Sequence, residues 1–514
     1  MPQESHLSTA LAAEQTAKLR RSLRRFDVFF LLIAAVISIE VLGKISSFGG
    51  ETLTWMVLLT ITFLVPFALV FAEVGSAFTD EGGPYVWVKL AFGRIPAAIA
   101  TFLYWVTVPV WVGGTMAFIA YETWDAFVSP LGDGTFGDYF FKLVFIWLTV
   151  TSGVASIRYG KWLPTVGAAL KVGVLGFFVI TAIVYSLEHG VHGITVGDLS
   201  PTVSGFLGVT PLLLFAFLGF EAANGAAGEM KNPSRDVPIS LARSAAVAAS
   251  CYLVPIAAIL VILPAKKIDG ISGLMDAMRQ VFDVYGPAGP ALLKIVAVVY
   301  IGVLIGQGAA WMIVSDRVQA TAAADGTFFG GFFGIFNEKL GTPVRVNILT
   351  GAVATIFMFA AMSLVNGSSG AVFSVVLSFC VSTYLLSYLA IIPSAARLRR
   401  TYADTPRPFK VPLSNRAFTS LIVLCTAWIA LGSWVAVFPG TLEALLGVSY
   451  PFFDTWGVSR WTFELFTLGT LALLSALGLI GYVRARPVRG EVAGRVRHPA
   501  ALPAPAADLA GLSE

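Results

Sequence analysis

The stretch LLIAAVISIEVLGKISSFGG, residues 31–50, sets the class of fold, because it is an apolar run with a carboxylate near its middle. A run of about 20 apolar residues is long enough to cross the ~30 Å hydrocarbon core of a bilayer. The whole chain is 57% hydrophobic and only 12% charged. Soluble domains carry about 25% charged residues. The composition therefore predicts an all-α polytopic membrane protein.

Similar apolar runs on both sides of this stretch predict twelve spans. They fall near 27–46, 54–74, 95–122, 140–157, 162–187, 205–227, 239–264, 289–315, 344–365, 369–396, 416–439 and 461–483. A short amphipathic stretch near 270–283 is predicted to lie at the membrane surface.

The distribution of positive charge predicts the orientation. Most of the 34 Lys and Arg residues fall in alternate loops and in the two tails. Such an excess marks the cytoplasmic side, so both termini are expected to be cytoplasmic, in a multi-pass protein of the cytoplasmic (inner) membrane. Residues 1–25 are predicted to form a cytoplasmic tail, residues 26–485 the membrane domain, and the Ala- and Pro-rich residues 486–514 a disordered tail.

Several classes of chemistry find no support in the sequence. The three Cys residues lie in apolar runs without paired spacing, and the four His residues form no helical pair. We therefore predict no metal site, no cofactor, no catalytic residue and no nucleic-acid partner. A membrane enzyme needs clustered polar groups at membrane depth, and a channel is usually built from several copies of a few spans. Both remain as less favoured alternatives, and the oligomeric state stays open.

Glu40 is the most informative residue of the first span. A carboxylate near the bilayer centre costs at least ~2.5 kcal/mol on insertion scales, so it must face a cavity or a partner. Ser38 and Gly43 are neighbours that would allow the helix to break there. A purely structural polar contact is the alternative to a functional role.

Lys171 lies well inside the fifth span, in TVGAALKVGVLGFF. It is too deep for its side chain to reach either membrane surface comfortably. A desolvated Lys is able to take up and release protons, which suggests a coupling role. The alternative is a partially buried Lys that is simply neutralised.

The sixth span reads GVTPLLLFAFLGFEAANGAAGEMKNPSRDVPIS, residues 208–240. Gly219 and Gly225 flank the acidic Glu221, and Asn224 follows within one turn. This pattern is typical of a discontinuous helix whose freed backbone groups bind a ligand. Helix packing by small residues explains the alanines of this segment but does not explain Glu221.

The first and sixth spans are five apart, and each is interrupted near an acid. Interrupted spans at corresponding positions of two halves point to an inverted repeat with a binding site at mid-membrane. The repeats are expected at about 26–187 and 205–396, with two extra helices within 416–483.

Two motifs resemble the amino acid–polyamine–organocation permeases. One is FAEVGSAFTDEGGPYVWVKLAFG, residues 71–93, and the other is FAFLGFEAANGAAGEMKNPSRDVPIS, residues 215–240. The resemblance implies a LeuT-type fold, a 5+5 inverted repeat plus two helices, that works by alternating access around broken spans one and six. It also implies that Phe215 is an occluding gate. Lys171 matches a position where proton-coupled members carry Lys and sodium-coupled relatives bind an ion.

One stretch departs from the family pattern. Where amino acid permeases usually carry a Gly-Ser-Gly-like run that holds the substrate carboxylate, this chain has Ile37-Ser38-Ile39-Glu40. Glu40 would repel a carboxylate and suits an ammonium group, as in polyamine-uptake members that ISIEVLG resembles. Protonation of Glu40 would keep ordinary amino acids possible.

These features together predict a secondary transporter for amino acids or related amines, driven by protons or by exchange. A polyamine or cationic amino acid importer is the alternative. Its expected partners are a small-molecule substrate, protons and membrane lipids. The expected substrate-binding residues are Ile37, Ser38, Glu40, Gly43, Phe215, Gly219, Glu221 and Asn224, with Lys171 as the coupling residue.

Overall fold

The computed structural model describes residues 7–19, 23–159, 162–191, 193–225, 227, 230–364 and 369–489. Within these residues the chain is almost entirely helical, and its only β pairs are two isolated bridges. The helices are α1 Ala10–Ala17, α2 Arg25–Val36, α3 Leu42–Ser46, α4 Glu51–Leu59, α5 Val65–Ala77, α6 Gly83–Phe92, α7 Arg94–Trp111, α8 Ala117–Phe127, α9 Phe136–Tyr159, α10 Trp162–His189, α11 Val203–Phe217, α12 Ala222–Gly225, α13 Pro233–Ile262, α14 Gly273–Val281, α15 Gly289–Ala324, α16 Val344–Leu364, α17 Ser369–Thr401, α18 Asn415–Val437, α19 Thr441–Leu445, α20 Phe452–Trp456 and α21 Arg460–Arg484.

Eleven helical stretches of the described residues are long and apolar enough to cross a bilayer. The all-α polytopic fold predicted from composition is thereby confirmed. The predicted sixth span contributes only the shorter apolar helix α11, because the chain leaves helical geometry after Phe217. The count of twelve spans and the inverted repeat therefore stay predictions, as do the boundaries of the domain and tails.

Several predicted boundaries differ from the structure. The eighth span was expected to end near residue 315, but α15 continues to Ala324. The extra turns carry Asp316 and Arg317, which the sequence alone would place outside the bilayer. Both side chains are fully buried, Asp316 accepting from Asn347 of α16 and Arg317 donating to the Gly341 carbonyl in the preceding loop, so the helix is able to continue.

The amphipathic stretch near 270–283 is helical over α14. One face of α14 is buried through residues such as Leu274 and Met278, while Arg279 is exposed on the other. A Cβ on Gly43 of α3 would lie 3.1 Å from the backbone nitrogen of Gly273, so the two helices approach closely. This stretch thus covers the end of the broken first span.

The two faces of the bundle differ in how they are closed. We call the side with residues 8–19 and Asp325 the terminal face, and the other side the opposite face. On the terminal face Lys89 pairs with Asp325 at 2.5 Å. Glu73 pairs with Arg399 at 3.2 Å and with Arg407 at 3.4 Å. These ion pairs join α5, α6, α15 and the end of α17 beneath the centre of the bundle.

Candidate substrate site at the broken helices

The helix of the first span breaks at Ser38, close to where the sequence predicts a break. Helix α2 ends at Val36, Ile37 and Ser38 have non-helical dihedral angles, and a 3-10 turn over Ile39–Val41 leads into α3. A helix end leaves its last four carbonyl groups without partners inside the helix. In the middle of a membrane protein those groups must find partners elsewhere.

Lys171 supplies two of these partners. Its ammonium, on α10, donates hydrogen bonds to the carbonyl oxygens of Ala34 at 2.7 Å and Ile37 at 2.5 Å. A cation at the carboxyl end of a helix is also favoured by the helix dipole. Lys171 is 1% exposed, so this contact is shielded from solvent. Lys171 therefore stabilises the broken end of α2.

Two further side chains complete the set. The indole N–H of Trp311 donates to the Ala35 carbonyl at 2.7 Å, and the Tyr252 hydroxyl donates to the Val36 carbonyl at 2.8 Å. The same hydroxyl accepts a hydrogen bond from the backbone N–H of Ser38 at 2.7 Å. Side chains from α10, α13 and α15 thus hold open the break in the first span.

Glu40 lies just beyond the break and is 1% exposed. Its Oε2 atom accepts a hydrogen bond of 2.9 Å from Gln307, whose amide also lies 3.4 Å from the Ser38 hydroxyl. Among the described residues its Oε1 atom has no hydrogen-bond partner. One acceptor of this buried carboxylate is therefore unused by the described residues.

The sixth span breaks after Phe217, as its glycines and acid predicted. Gly219 has a φ of +110°, a backbone conformation that favours glycine. A Cβ at this position would lie 3.0 Å from the Trp311 ring and 3.2 Å from Val36. Gly219 of the sixth span therefore packs against Val36 of the first, and Trp311 of α15 contacts both stretches.

Glu221 follows this break and is fully buried. Its Oε1 atom accepts a hydrogen bond of 2.9 Å from the Tyr104 hydroxyl, and Tyr388 lies beside the same carboxylate. Its Oε2 atom has no hydrogen-bond partner among the described residues. Glu221 thus matches Glu40 in being buried, acidic and only half satisfied.

A small cavity of about 20 Å³ lies between the two broken stretches. Its walls include Val36, Ser38, Trp111, Phe215, Trp311 and Tyr384. This volume holds about one water molecule, so a larger ligand requires the aromatic side chains to move.

Four aromatic rings enclose this cavity in a closed circuit. Trp111 lies 6.3 Å from Phe215 and 6.4 Å from Trp311, measured between ring centroids. Tyr384 completes the circuit at 5.5 Å from Phe215 and 5.7 Å from Trp311. Faces of such rings attract organic cations. We call this group the aromatic cage.

A larger cavity of about 330 Å³ lies on the opposite face, and we call it the vestibule. Leu212 and Val381 line the vestibule, and each precedes an aromatic residue of the cage by three positions on the same helix. Three residues advance a helix by about 4.5 Å. Phe215 and Tyr384, which line the cage, therefore lie about one helical turn from these vestibule residues, and we call this pair the floor.

The structure does not bring every predicted site residue to the cage. Asn224 donates a hydrogen bond of 2.9 Å to the Gly75 carbonyl and packs against Gly83, so it joins α12 to α5 and α6. Gly43 lies in the close contact with Gly273 described above. For both residues these observed contacts are with the protein itself. Ile37 contributes its carbonyl to Lys171.

Sequence reasoning missed most of the cage. Trp111, Trp311 and Tyr384 lie on long apolar helices where an aromatic residue is unremarkable. Gln307 did carry a signal, since it is an amide inside the apolar run KIVAVVYIGVLIGQGAAWMIV, residues 294–314. Which of these side chains converge depends on helix packing.

Comparison with known proteins supplies the family. A family model described as amino acid permease matches residues 23–479. The chain belongs to the amino acid permease family. The resemblance to the amino acid–polyamine–organocation permeases and the predicted class, a membrane transporter, are thereby confirmed.

Three relatives of this permease are informative. It is 28% identical over 397 residues to a probable agmatine/putrescine antiporter of Lactococcus lactis, covering 76% of this chain and 82% of that protein. It is 26% identical over 422 residues to an uncharacterised transporter of Legionella pneumophila, covering 80% and 89%. It is 24% identical over 457 residues to a branched-chain amino acid permease of Bacillus subtilis, covering 84% and 92%. Permeases for amines and for amino acids are thus both represented.

Proposed function

We propose that this permease carries an organic amine with a positive charge at each end, a putrescine- or agmatine-type compound. The observation that carries the proposal is the pair of buried carboxylates, Glu40 and Glu221, beside the aromatic cage. Each has one oxygen without a hydrogen-bond partner among the described residues. A dication would supply a charged partner to each carboxylate, and the aromatic rings of the neighbouring cage suit its ammonium groups.

The surroundings of Glu40 support an amine over a neutral amino acid. A substrate carboxylate at the first break would meet Glu40, and a buried like-charge contact is costly. The nearby cation, Lys171, is already engaged with the carbonyls of Ala34 and Ile37. The relative that is named an agmatine/putrescine antiporter is consistent with this choice.

We propose alternating access as the mechanism. Substrate enters through the vestibule, the Phe215–Tyr384 pair opens to admit it, and the ion pairs of the terminal face part to release it on the other side. Lys171 couples protonation to this cycle, because its charge holds the end of α2. The protein lies in the cytoplasmic membrane with its terminal face inside.

Counterflow in proteoliposomes tests the substrate. Vesicles loaded with unlabelled putrescine, agmatine, arginine or leucine are diluted into labelled putrescine and, in parallel series, into labelled agmatine or labelled leucine. We expect putrescine and agmatine to drive accumulation and leucine to have no effect. Accumulation of labelled leucine, with none of putrescine or agmatine, would overturn the proposal in favour of an amino acid substrate.

A further inference from the structure

The vestibule on the opposite face is lined by an acidic residue, Glu443, that is not part of the central site. Glu443, on the short helix α19, lines this cavity of about 330 Å³. Glu443 is only 2% exposed. Pockets for small ligands have volumes of about 300 Å³ and above. The cavity therefore has room for a small molecule beside a buried carboxylate.

Within the part of the chain that the structure describes, Glu443 has no ion-pair partner, and its Oε2 atom accepts no hydrogen bond. Arg460 lies in the same region and donates a hydrogen bond of 3.4 Å to the Pro439 carbonyl. Its guanidinium lies 3.8 Å from Glu464 and 4.9 Å from the centre of the Phe452 ring. A buried charge without a partner is costly, which points to a cation supplied from outside the protein.

The other charged groups of the vestibule, Glu51 and Lys44, form hydrogen bonds with neutral groups of the protein. Glu51 accepts a hydrogen bond of 2.8 Å from the backbone N–H of Thr202 and further bonds from the Thr202 hydroxyl. The Lys44 ammonium donates to the Ser374 hydroxyl at 3.3 Å. Of these charged residues, Glu443 is thus the one with a buried oxygen that lacks a hydrogen-bond partner within the described residues.

The segment that carries Glu443 is held in place by local contacts. Gly440 has a φ of +80°, and a Cβ there would lie 2.6 Å from the Tyr450 ring. The backbone N–H of Val448 donates to the Glu443 carbonyl at 2.8 Å, and the Trp456 indole donates to the Tyr450 hydroxyl at 2.8 Å. Burial raises the pKa of Tyr450 to about 12, so this hydroxyl stays protonated. The two rings therefore form a fixed wall beside the carboxylate.

The lining indicates the class of ligand. Phe48, Tyr450, Trp456 and aliphatic residues such as Leu212 form most of the wall. Metal ions require several oxygen, nitrogen or sulfur ligands, and the described residues hold no cluster of such groups. A carboxylate with an unbonded oxygen among aromatic and aliphatic groups suits an ammonium with an apolar stem.

We propose that the vestibule is a second binding site, in which Glu443 takes the ammonium group of an aliphatic amine above the Phe215–Tyr384 floor. This site is separate from the central one and does not depend on what the aromatic cage carries. Leu212 and Val381 of the vestibule lie one helical turn from Phe215 and Tyr384 of the cage. An amine bound in the vestibule is therefore close to the central site.

Equilibrium binding of labelled putrescine to purified protein tests the site. The wild type is expected to bind two equivalents, Glu443→Gln and Glu40→Gln one each, and the double variant none within the range tested. Loss of the charged partner should weaken the vestibule component by about tenfold or more. Glu464→Gln, which changes a partly exposed acid in the same region, is the control and should keep both equivalents.

Leu212→Trp provides a second variant in case Glu443→Gln does not fold. It fills the vestibule without removing the carboxylate and should also lose one equivalent. Two equivalents retained in Glu443→Gln or in Leu212→Trp would overturn the proposal. So would a single equivalent in the wild type that depends on Glu40. A single equivalent that depends on Glu443 would instead support the vestibule site while contradicting the proposed central substrate.

Discussion

The Lys171 ammonium lies 2.5 Å from the carbonyl oxygen of Ile37, directly at the break in the first span. The same ammonium bonds to Ala34, one turn earlier. Lys171 therefore connects α10 to the end of α2, and a change in its protonation acts on the helix that borders the cage. This arrangement leads to the first prediction.

Transport is expected to proceed without sodium and to respond to a pH gradient, because a fixed ammonium occupies the carbonyls at this break. Lys171→Met should remove the response to pH and lower stability by about 1–3 kcal/mol, since two buried carbonyls lose their donor. Uptake is measured in vesicles with and without Na⁺ at several pH values. Lys294→Met, at an exposed position of α15, is the control. A strict sodium requirement would contradict this role.

Glu40→Gln is expected to abolish amine uptake while leaving the fold intact. The amide keeps the shape of the side chain and an oxygen that accepts from Gln307, but it loses the charge that attracts an ammonium. Labelled putrescine uptake and the melting temperature are measured together. Glu338→Gln, at an exposed acid paired with Lys18, should behave like the wild type. Normal amine uptake by Glu40→Gln would remove Glu40 from the site.

Phe215→Ala is expected to slow turnover while leaving substrate binding measurable. The ring forms the floor with Tyr384 at 5.5 Å between centroids, so its loss impairs closure over a bound substrate. Binding at equilibrium and counterflow rates separate the two effects. Phe140→Ala, which removes a ring that is 54% exposed on α9, serves as the control. Unchanged turnover would mean that Phe215 is not a gate.

Gly219→Ala is expected to impair both transport and stability. The φ of +110° disfavours any side chain, and the added carbon would lie 3.0 Å from Trp311. Such strain costs on the order of 1–3 kcal/mol. Gly302→Ala is the matched control, since a Cβ there meets nothing within 4 Å on helix α15. Equal melting temperatures and transport rates for the two variants would contradict the close contact at the break.

Much of the fold was predictable from the sequence because the membrane imposes a simple rule. Long apolar runs have to be helices, and acids or glycines inside them mark exceptions. That rule located Glu40, Lys171 and Glu221 and anticipated both discontinuous helices. It did not predict that the Asn224 amide donates to Gly75, and the place of Asn224 in the substrate site stays a prediction.

The sequence by itself determined that this protein crosses the membrane many times and where its first and sixth spans break. The length of an apolar run and the backbone preference of a residue such as glycine are properties of one segment, so both can be predicted from the sequence. Only the tertiary structure decided that Trp111, Phe215, Trp311 and Tyr384 form one cage and that Glu443 lines the vestibule above it. Those contacts join residues from distant helices, and they depend on how packed helices rotate and cross rather than on any local pattern.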